Sequence, residues 1–250
     1  VLDLGCGDGS LLKLLIELRG VRGWGIEIDN AGVLKAIGNG INVIQSDLEV
    51  GLSGFENGEF DHVVLSRTLQ TVRHTQRIIE EMLRVGREAV VSFPNFAYWK
   101  NRMAVMAGRM PVSEDLPYQW FDTPNIRFFT IADFDALCAA MRIVVRERMV
   151  LDDRGKVVTE EHNFLGSLAV YRLGRPAAQA VHRHHVAAPH VREQRADRRM
   201  GRRDRDVDRP ALHHVGVALA IDQRQCATRA HALGERSGHD VVLLVVGQGA

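Results

Sequence analysis

The run Val1-Leu2-Asp3-Leu4-Gly5-Cys6-Gly7-Asp8-Gly9-Ser10 decides the fold of this chain. A short apolar stretch ends in a loop with glycine at 5, 7 and 9, and Leu11, Leu12, Leu14, Leu15 and Leu18 follow with helical period. Strand, glycine-rich turn and helix in immediate succession make half of an α/β unit. Glycines at this spacing let the backbone approach a ligand where a Cβ would collide, and they supply positive φ without steric penalty. The N–H groups at the start of the helix are then expected to face the ligand. Asp3, at the mouth of the strand, can orient the loop or meet an ammonium group.

The spacing narrows the ligand. Dinucleotide-binding turns read G-x-G-x-x-G; here the third glycine comes one residue early and Ser10 stands in its usual place. The form D-x-G-x-G-x-G resembles the first motif of class I S-adenosyl-L-methionine (SAM) methyltransferases. A nucleoside site also needs an acid about 20 residues on, ending the next strand, to take the ribose hydroxyls. Trp24-Gly25-Ile26-Glu27-Ile28-Asp29 provides it, with Glu27 placed for the ribose and Asp29 for the cap of the following helix. Alone, Glu27 is equally well a solvated strand end; with the loop it indicates a nucleoside.

Outward from this unit the chain keeps alternating. Gly20 ends the first helix, Gly23–Ile28 is strand two, and Val33, Leu34 and Ile37 mark a helix stopped by Gly38 and Gly40. Strand three is Asn42–Gln45, and Asp47 with Leu48 follows it. Asp47 can accept from an adenine amino group or serve as a helix cap. Phe60–Ser66 is apolar on both faces, as a buried parallel strand requires. Ile78, Ile79, Met82, Leu83 and Val85 mark a helix, and Ala89–Phe93 is strand five. Such alternation predicts a parallel sheet with right-handed crossovers, whose ligands bind at the carboxyl ends of the strands. Asp3, Glu27, Asp47, Ser66 and Asn95 all fall there. The cofactor-binding set is therefore expected to be Asp3, Gly5, Cys6, Gly7, Gly9, Glu27, Ile28, Asp47, Leu48 and Ser66, with SAM or S-adenosylhomocysteine as the cofactor.

Residues 96–128 interrupt the alternation with Tyr98, Trp99, Tyr118 and Trp120 and turns at Pro111, Pro117 and Pro124. A long aromatic insertion at this edge serves as a lid or a binding surface, or packs as a satellite core. Thr130 with Asp133 predicts a capping box for a helix carrying Phe134, Leu137, Cys138 and Met141. Ile143–Val150 and Leu165–Leu173 read as two strands too close for a crossover helix, hence antiparallel. The expected fold is α/β, a Rossmann-like class I methyltransferase sheet: seven strands, mostly parallel, the last antiparallel, with helices on both faces.

Composition sets limits. The net charge is +1, which argues against a general nucleic-acid binder. All fifteen Phe, Trp and Tyr precede residue 175, while eight of eleven His follow it. Residues 1–174 hold 19 Lys+Arg and 23 Asp+Glu; residues 175–250 hold 13 Arg, no Lys and 8 acids. The expected division is a domain at 1–174 and an Arg/His/Ala-rich tail at 175–250, disordered or read out of frame, with a basic nucleic-acid arm as its rival. Cys6, Cys138 and Cys226 imply no disulfide framework, and a reducing cytoplasm is the simplest compartment. The longest apolar run, Val241–Val246, is too short to cross a bilayer. Val1 opens directly in a strand, so an upstream segment is expected to precede it.

Four stretches resemble one family more closely than the superfamily. They are Val1–Gly9; Gly40 to Asp47; Leu65-Ser66 with Thr68-Leu69-Gln70; and Ser92-Phe93-Pro94-Asn95. Together they are similar to the MetW family of methionine biosynthesis proteins. The most specific part is the insertion, Gly108-Arg109-Met110-Pro111-Val112 and Leu116 to Ile126, and the likeness covers roughly 1–173. The resemblance implies a SAM-binding fold acting with a homoserine O-acyltransferase in methionine synthesis, on small molecules rather than nucleic acid or membrane. Arg67 and Arg127 depart from the family pattern, which has an amide and a His there. No Asn-Pro-Pro-Tyr run follows strand four, so methylation of a base or glutamine amino group is not expected. His62 reads as a core or edge residue and His74 as a helix cap; Tyr118 and Asp122 are conceivable bases, and none is singled out as catalytic. Two functions follow: an accessory SAM-fold protein supporting the acyltransferase, or an enzyme methylating a small metabolite. No metal site is expected.

Overall fold

The computed structural model describes residues 1–176, so the tail expected at 175–250 lies outside the described residues beyond its first two positions. Seven strands form one sheet: β1 (Leu2–Leu4), β2 (Trp24–Glu27), β3 (Val43–Gln45), β4 (Phe60–Ser66), β5 (Gly86–Pro94), β6 (Val144–Leu151) and β7 (Leu168–Gly174), in the order β3-β2-β1-β4-β5-β7-β6. The first five pair in parallel; β7 lies between β5 and β6, antiparallel to both. This is the expected methyltransferase sheet, with strand ends shifted by a few residues.

Helices cover both faces. Helices α1 (Ser10–Arg19) and α2 (Asn30–Gly38) lie on one; α3 (Thr75–Val85) and α5 (Ile131–Ala140) lie on the other. Consecutive β4 residues explain its unbroken apolar sequence: Val63 joins the α3 side with Ile79 and Met82, and Val64 joins the α1 side with Leu11 and Leu15. Burying one such side chain contributes about 1.5–3 kcal/mol. Phe93 is the aromatic centre of the α5 side, 4.8 Å from the Phe134 ring and 5.6 Å from that of Tyr171. The capping box at Thr130 and Asp133 forms in both directions, and Asp29 caps α2 by accepting from the Gly32 N–H at 2.9 Å.

Two elements differ from expectation. The insertion holds a helix, α4 (Trp99–Met106), which the sequence pattern hides because its apolar Trp99, Met103, Val105 and Met106 face outward and only Asn101 is buried. The other is a single helical turn, α6 (His162–Leu165), which takes Leu165 out of the last strand, so β7 begins at Leu168. The two ends of the insertion meet: the Phe96 N–H donates to the Phe129 carbonyl at 3.1 Å. Asn95, just before it, is fully buried. Its Nδ2 donates to the Asn163 and Gly166 carbonyls, and its Oδ1 accepts from the Ala97 and Ile131 N–H groups. Among the described residues no helix is long and apolar enough to cross a membrane.

Candidate functional site

The loop between β1 and α1 carries Gly5, Gly7 and Gly9 with φ of 68°, 56° and 75°. All three need the left-handed region, but the space around them separates their duties. A Cβ on Gly5 would lie 2.9 Å from Thr68 Cγ2, and one on Gly9 would lie 2.8 Å from Ile41 Cγ1. A Cβ on Gly7 would meet nothing within 4 Å. Gly5 and Gly9 are thus required by the protein's own packing, and Gly7 is the one whose bare backbone faces open space.

The loop's own N–H groups differ from expectation. Gly5 and Cys6 donate to the Ile26 carbonyl at 2.8 and 3.0 Å, and Gly9 donates to the Cys6 carbonyl at 2.9 Å. Gly7 donates to Glu27 Oε2 at 2.8 Å, and the Ser10 N–H is held by Asp8 Oδ1 at 3.0 Å. The tight turn consumes these donors itself, so it offers a ligand a close backbone surface more than a set of free N–H groups.

Glu27, at the end of β2, is the clamp of this arrangement. Its Oε1 accepts from the Ile28 and Asp29 N–H groups, both at 2.9 Å, while Oε2 holds Gly7. An ionised carboxylate has about four acceptor sites, so three backbone donors leave room for a ribose hydroxyl. Gly32, which the sequence reading passed over, makes this possible: a Cβ there would stand 3.0 Å from Glu27 Cγ and 3.2 Å from the Gly7 carbonyl oxygen.

Asp3 is the middle residue of β1, two residues before Gly5. It is 2 % exposed, and neither carboxylate oxygen has a hydrogen-bond partner among the described residues. Burial, and then the charge of Glu27, raise its pKa from 3.8 to about 7. A lone buried carboxylate is costly unless a cation or donor meets it. Cys6 is equally buried, its Sγ pressed where a Cβ of Gly25 would come within 2.4 Å. Burial and the neighbouring Asp3 and Glu27 charges push its thiol up to about 12, so it offers the site its backbone and no nucleophile.

The residues expected beside an adenine sit close by, since the Ser46 N–H donates to the Glu27 carbonyl at 3.0 Å. Asp47 caps a 3-10 turn, Leu48–Val50, by accepting from the Glu49 N–H at 2.8 Å, which occupies one of its two oxygens. Leu48 packs against the core, and Ile28 stands exposed beside Glu27 as an apolar platform. Ser66, at the end of β4, shares a hydrogen bond with Ser92 at 3.1 Å. Asn95 does not belong to the ligand surface, because its polar atoms are spent joining β5 to α5 and α6. His62 is a buried strand residue 3.4 Å from Glu88, its pKa lowered by burial. His74 occupies the N-cap position of α3 without capping it and meets Glu49 at 2.5 Å instead.

The insertion is tied to the turn after β4. Arg67 forms an ion pair with Asp115, whose other oxygen accepts from Ser167 Oγ at 2.5 Å. Arg127 donates to the carbonyls of Val72 and Arg73. Arg67 and Arg127 therefore fasten the insertion to the sheet edge. Its middle stays open: Trp120 is 72 % exposed, with Phe121 beside it, and Tyr118, Trp120 and Phe128 line a shallow recess with Met110 and Leu116.

Comparison with known proteins gives this geometry relatives. Residues 1–173 match the family described as methionine biosynthesis protein MetW. Over 174 residues the chain is 38% identical to a bifunctional methionine biosynthesis protein MetXA/MetW of Rhodopirellula baltica, an alignment covering 65% of this chain and 28% of that protein. The chain thus spans under a third of that relative's length. Among solved structures, a SAM-dependent methyltransferase of Mesorhizobium loti superposes with a TM-score of 0.51 at 16% identity, covering 70% of this chain and 89% of that one. One from Thermotoga maritima gives 0.51 at 17%, covering 70% and 81%. The [4+2]-cyclase SpnF gives 0.50 at 14%, covering 70% and 73%. These likenesses establish the class I methyltransferase fold; a neighbour named for a cyclisation makes plain that the fold alone does not fix the chemistry.

Proposed function

We propose, for a chain that belongs to the MetW family of methionine biosynthesis proteins, that its glycine-loop cleft binds SAM or S-adenosylhomocysteine, and that it acts with, or in support of, a homoserine O-acyltransferase. The observation that carries the ligand is Asp3: a buried carboxylate without a partner, in β1 two residues before Gly5, fits the ammonium of an amino-acid nucleoside. Glu27 takes the ribose hydroxyls with its remaining acceptor site. Gly7 provides the bare backbone over which the ligand passes, and Ile28, Asp47 and Leu48 border the adenine. Gly5, Gly9 and Cys6 hold the loop in shape, and Ser66 closes the β4 side. When bound, SAM supplies an electrophilic methyl group. Titration calorimetry with SAM, S-adenosylhomocysteine and NADH tests the reading: binding of NADH in place of SAM would refute it.

The partner half rests on the Rhodopirellula relative, whose name joins a MetXA part to a MetW part in one chain. The exposed aromatic middle of the insertion is the surface we assign to docking, since Trp and Tyr give large contact area at low entropy cost. Trp120→Ala should weaken capture of the acyltransferase by about 2 kcal/mol or more while SAM affinity stays unchanged. If instead SAM affinity falls and capture holds, the segment is a lid over the protein's own ligand.

A further inference from the structure

Among the described residues, buried side-chain oxygens without a partner occur on Asp3, Gln70 and Thr75. The nucleoside reading accounts for Asp3, and Thr75 is only partly buried. Gln70 is 7 % exposed and has no role so far. Its Nε2 donates to the Arg67 carbonyl at 2.5 Å, which fixes the orientation of the amide and leaves Oε1 as the atom without a partner. Natural proteins carry few such groups, and each calls for an explanation.

The surroundings of Gln70 make a built site. It lies in a 3-10 turn, Leu69–Thr71, just past β4. Its backbone carbonyl accepts from the Ile126 and Arg127 N–H groups at 3.0 and 3.1 Å, so the end of the insertion is fastened to this residue. The link from β4 to this turn begins at Arg67, a non-glycine residue at φ 50°, pinned by its N–H to the Ser92 carbonyl at 2.9 Å. Backbone held in so sparsely populated a region persists where the surroundings over-determine it, and such positions cluster at functional sites. Thr68, between Arg67 and Gln70, is the residue whose methyl confronts Gly5, so the turn abuts the glycine loop. The two buried unpartnered acceptors, Asp3 and Gln70, thus belong to the two segments that meet at the Gly5–Thr68 contact.

We propose that Gln70 Oε1 is the acceptor of a second small-molecule subsite, between the glycine loop and the end of the insertion, which takes a polar metabolite through an O–H or N–H donor. A carbonyl oxygen can only accept, and being neutral it does not demand a cation. A hydroxyl group suits it. The nearby Arg67 guanidinium is paired with Asp115, so the subsite is not built to select an anion. The ligand class is a small neutral or zwitterionic metabolite bearing a hydroxyl, such as a hydroxyamino acid. This subsite rests on the reading that the adjoining cleft holds SAM or S-adenosylhomocysteine.

The test is calorimetry on the full chain saturated with S-adenosylhomocysteine, titrated with L-homoserine and with L-2-aminobutyrate, the same skeleton without the hydroxyl. Wild-type protein should prefer homoserine about tenfold or more. Gln70→Met should abolish the preference and leave S-adenosylhomocysteine affinity within about twofold. Absence of homoserine binding, equal affinity for the two probes, or a preference that survives in Gln70→Met would each overturn the subsite. If Gln70→Met fails to fold, the two probes on wild type still decide. Failure of S-adenosylhomocysteine itself to bind would remove the nucleoside reading and the subsite with it; binding of that ligand without discrimination between the probes removes the subsite alone.

Discussion

Asp3→Asn is expected to make the free protein more stable and its binding of SAM weaker. The carboxyl is buried without a partner, and burial, followed by the charge of Glu27, lifts its pKa from 3.8 to about 7. Each unit corresponds to about 1.4 kcal/mol, so ionised Asp3 destabilises the free fold by at most roughly 4 kcal/mol. The folded state holds this proton more tightly than the unfolded state does. Wild-type stability should therefore fall as pH rises from about 4 to about 7, with the full penalty above that window. Asn has the same shape and no charge, so the variant should lack this slope. In scanning calorimetry at about pH 8 the variant should melt several degrees higher, at roughly 2–4 °C per kcal/mol for a chain of this size, and the gap should close at acid pH. Affinity for SAM should run the other way, since the proposed ammonium contact needs ionised Asp3. Wild-type affinity should rise with pH through the same window, and the variant should bind roughly ten- to a hundredfold more weakly, for a lost charged hydrogen bond of about 1.5–3 kcal/mol. A variant that is less stable at alkaline pH, or that binds SAM as tightly as wild type, would refute the assignment of Asp3.

Three further outcomes follow from the same geometry. Glu27→Ala removes the acceptor of the Gly7, Ile28 and Asp29 N–H groups as well as the ribose contact, so nucleoside affinity should drop roughly ten- to a hundredfold and urea stability should fall by about 1–3 kcal/mol. Gly7→Ala and Gly9→Ala both place a Cβ at positive φ, at about 1–2 kcal/mol each, but only the second drives it into Ile41; urea melts should show Gly9→Ala the less stable, while titration should show Gly7→Ala folded and impaired in SAM binding. Asn95→Ala strands the buried Gly166 carbonyl and the buried Ala97 and Ile131 N–H groups and should destabilise the fold by about 3 kcal/mol or more, measured by chemical denaturation, with SAM affinity of the folded fraction unchanged.

Much of the fold was legible because short-range rules governed it. The glycine loop between β1 and α1, the two-faced apolar run of β4 and the Thr130 capping box each announce themselves within a few residues, and the tight spacing of β6 and β7 required an antiparallel pair. What escaped the sequence depends on partners distant along the chain. Helix α4 carries its apolar residues outward, so no core-facing stripe marked it. Gly25 and Gly32 look like ordinary glycines until Cys6 and Glu27 are seen pressed against them. Asn95 shares the carboxyl edge with Asp3 and Glu27, yet its side chain turns inward as a staple. The three loop glycines look equivalent in the sequence, and only the packing of Thr68 and Ile41 tells them apart. Gln70 stands in one of the stretches that resemble the family, but the sequence assigns it no role; its interest lies in one unmatched atom.

The hydrogen bond joining Phe96 to Phe129 closes the insertion at its base, as a drawstring closes a bag. Strand β5 ends and α5 begins from nearly the same point whatever lies between them. Closure entropy grows only logarithmically, about 0.6 kcal/mol for each doubling of loop length. The intervening segment is therefore an exchangeable cassette: its length and aromatic content can drift through evolution, or be swapped by an engineer, without reopening the sheet. The exposed middle around Trp120 can then change on one timescale and the strand-end cleft on another, while the Arg67, Gln70 and Arg127 contacts hold the flanks of the segment to the sheet edge.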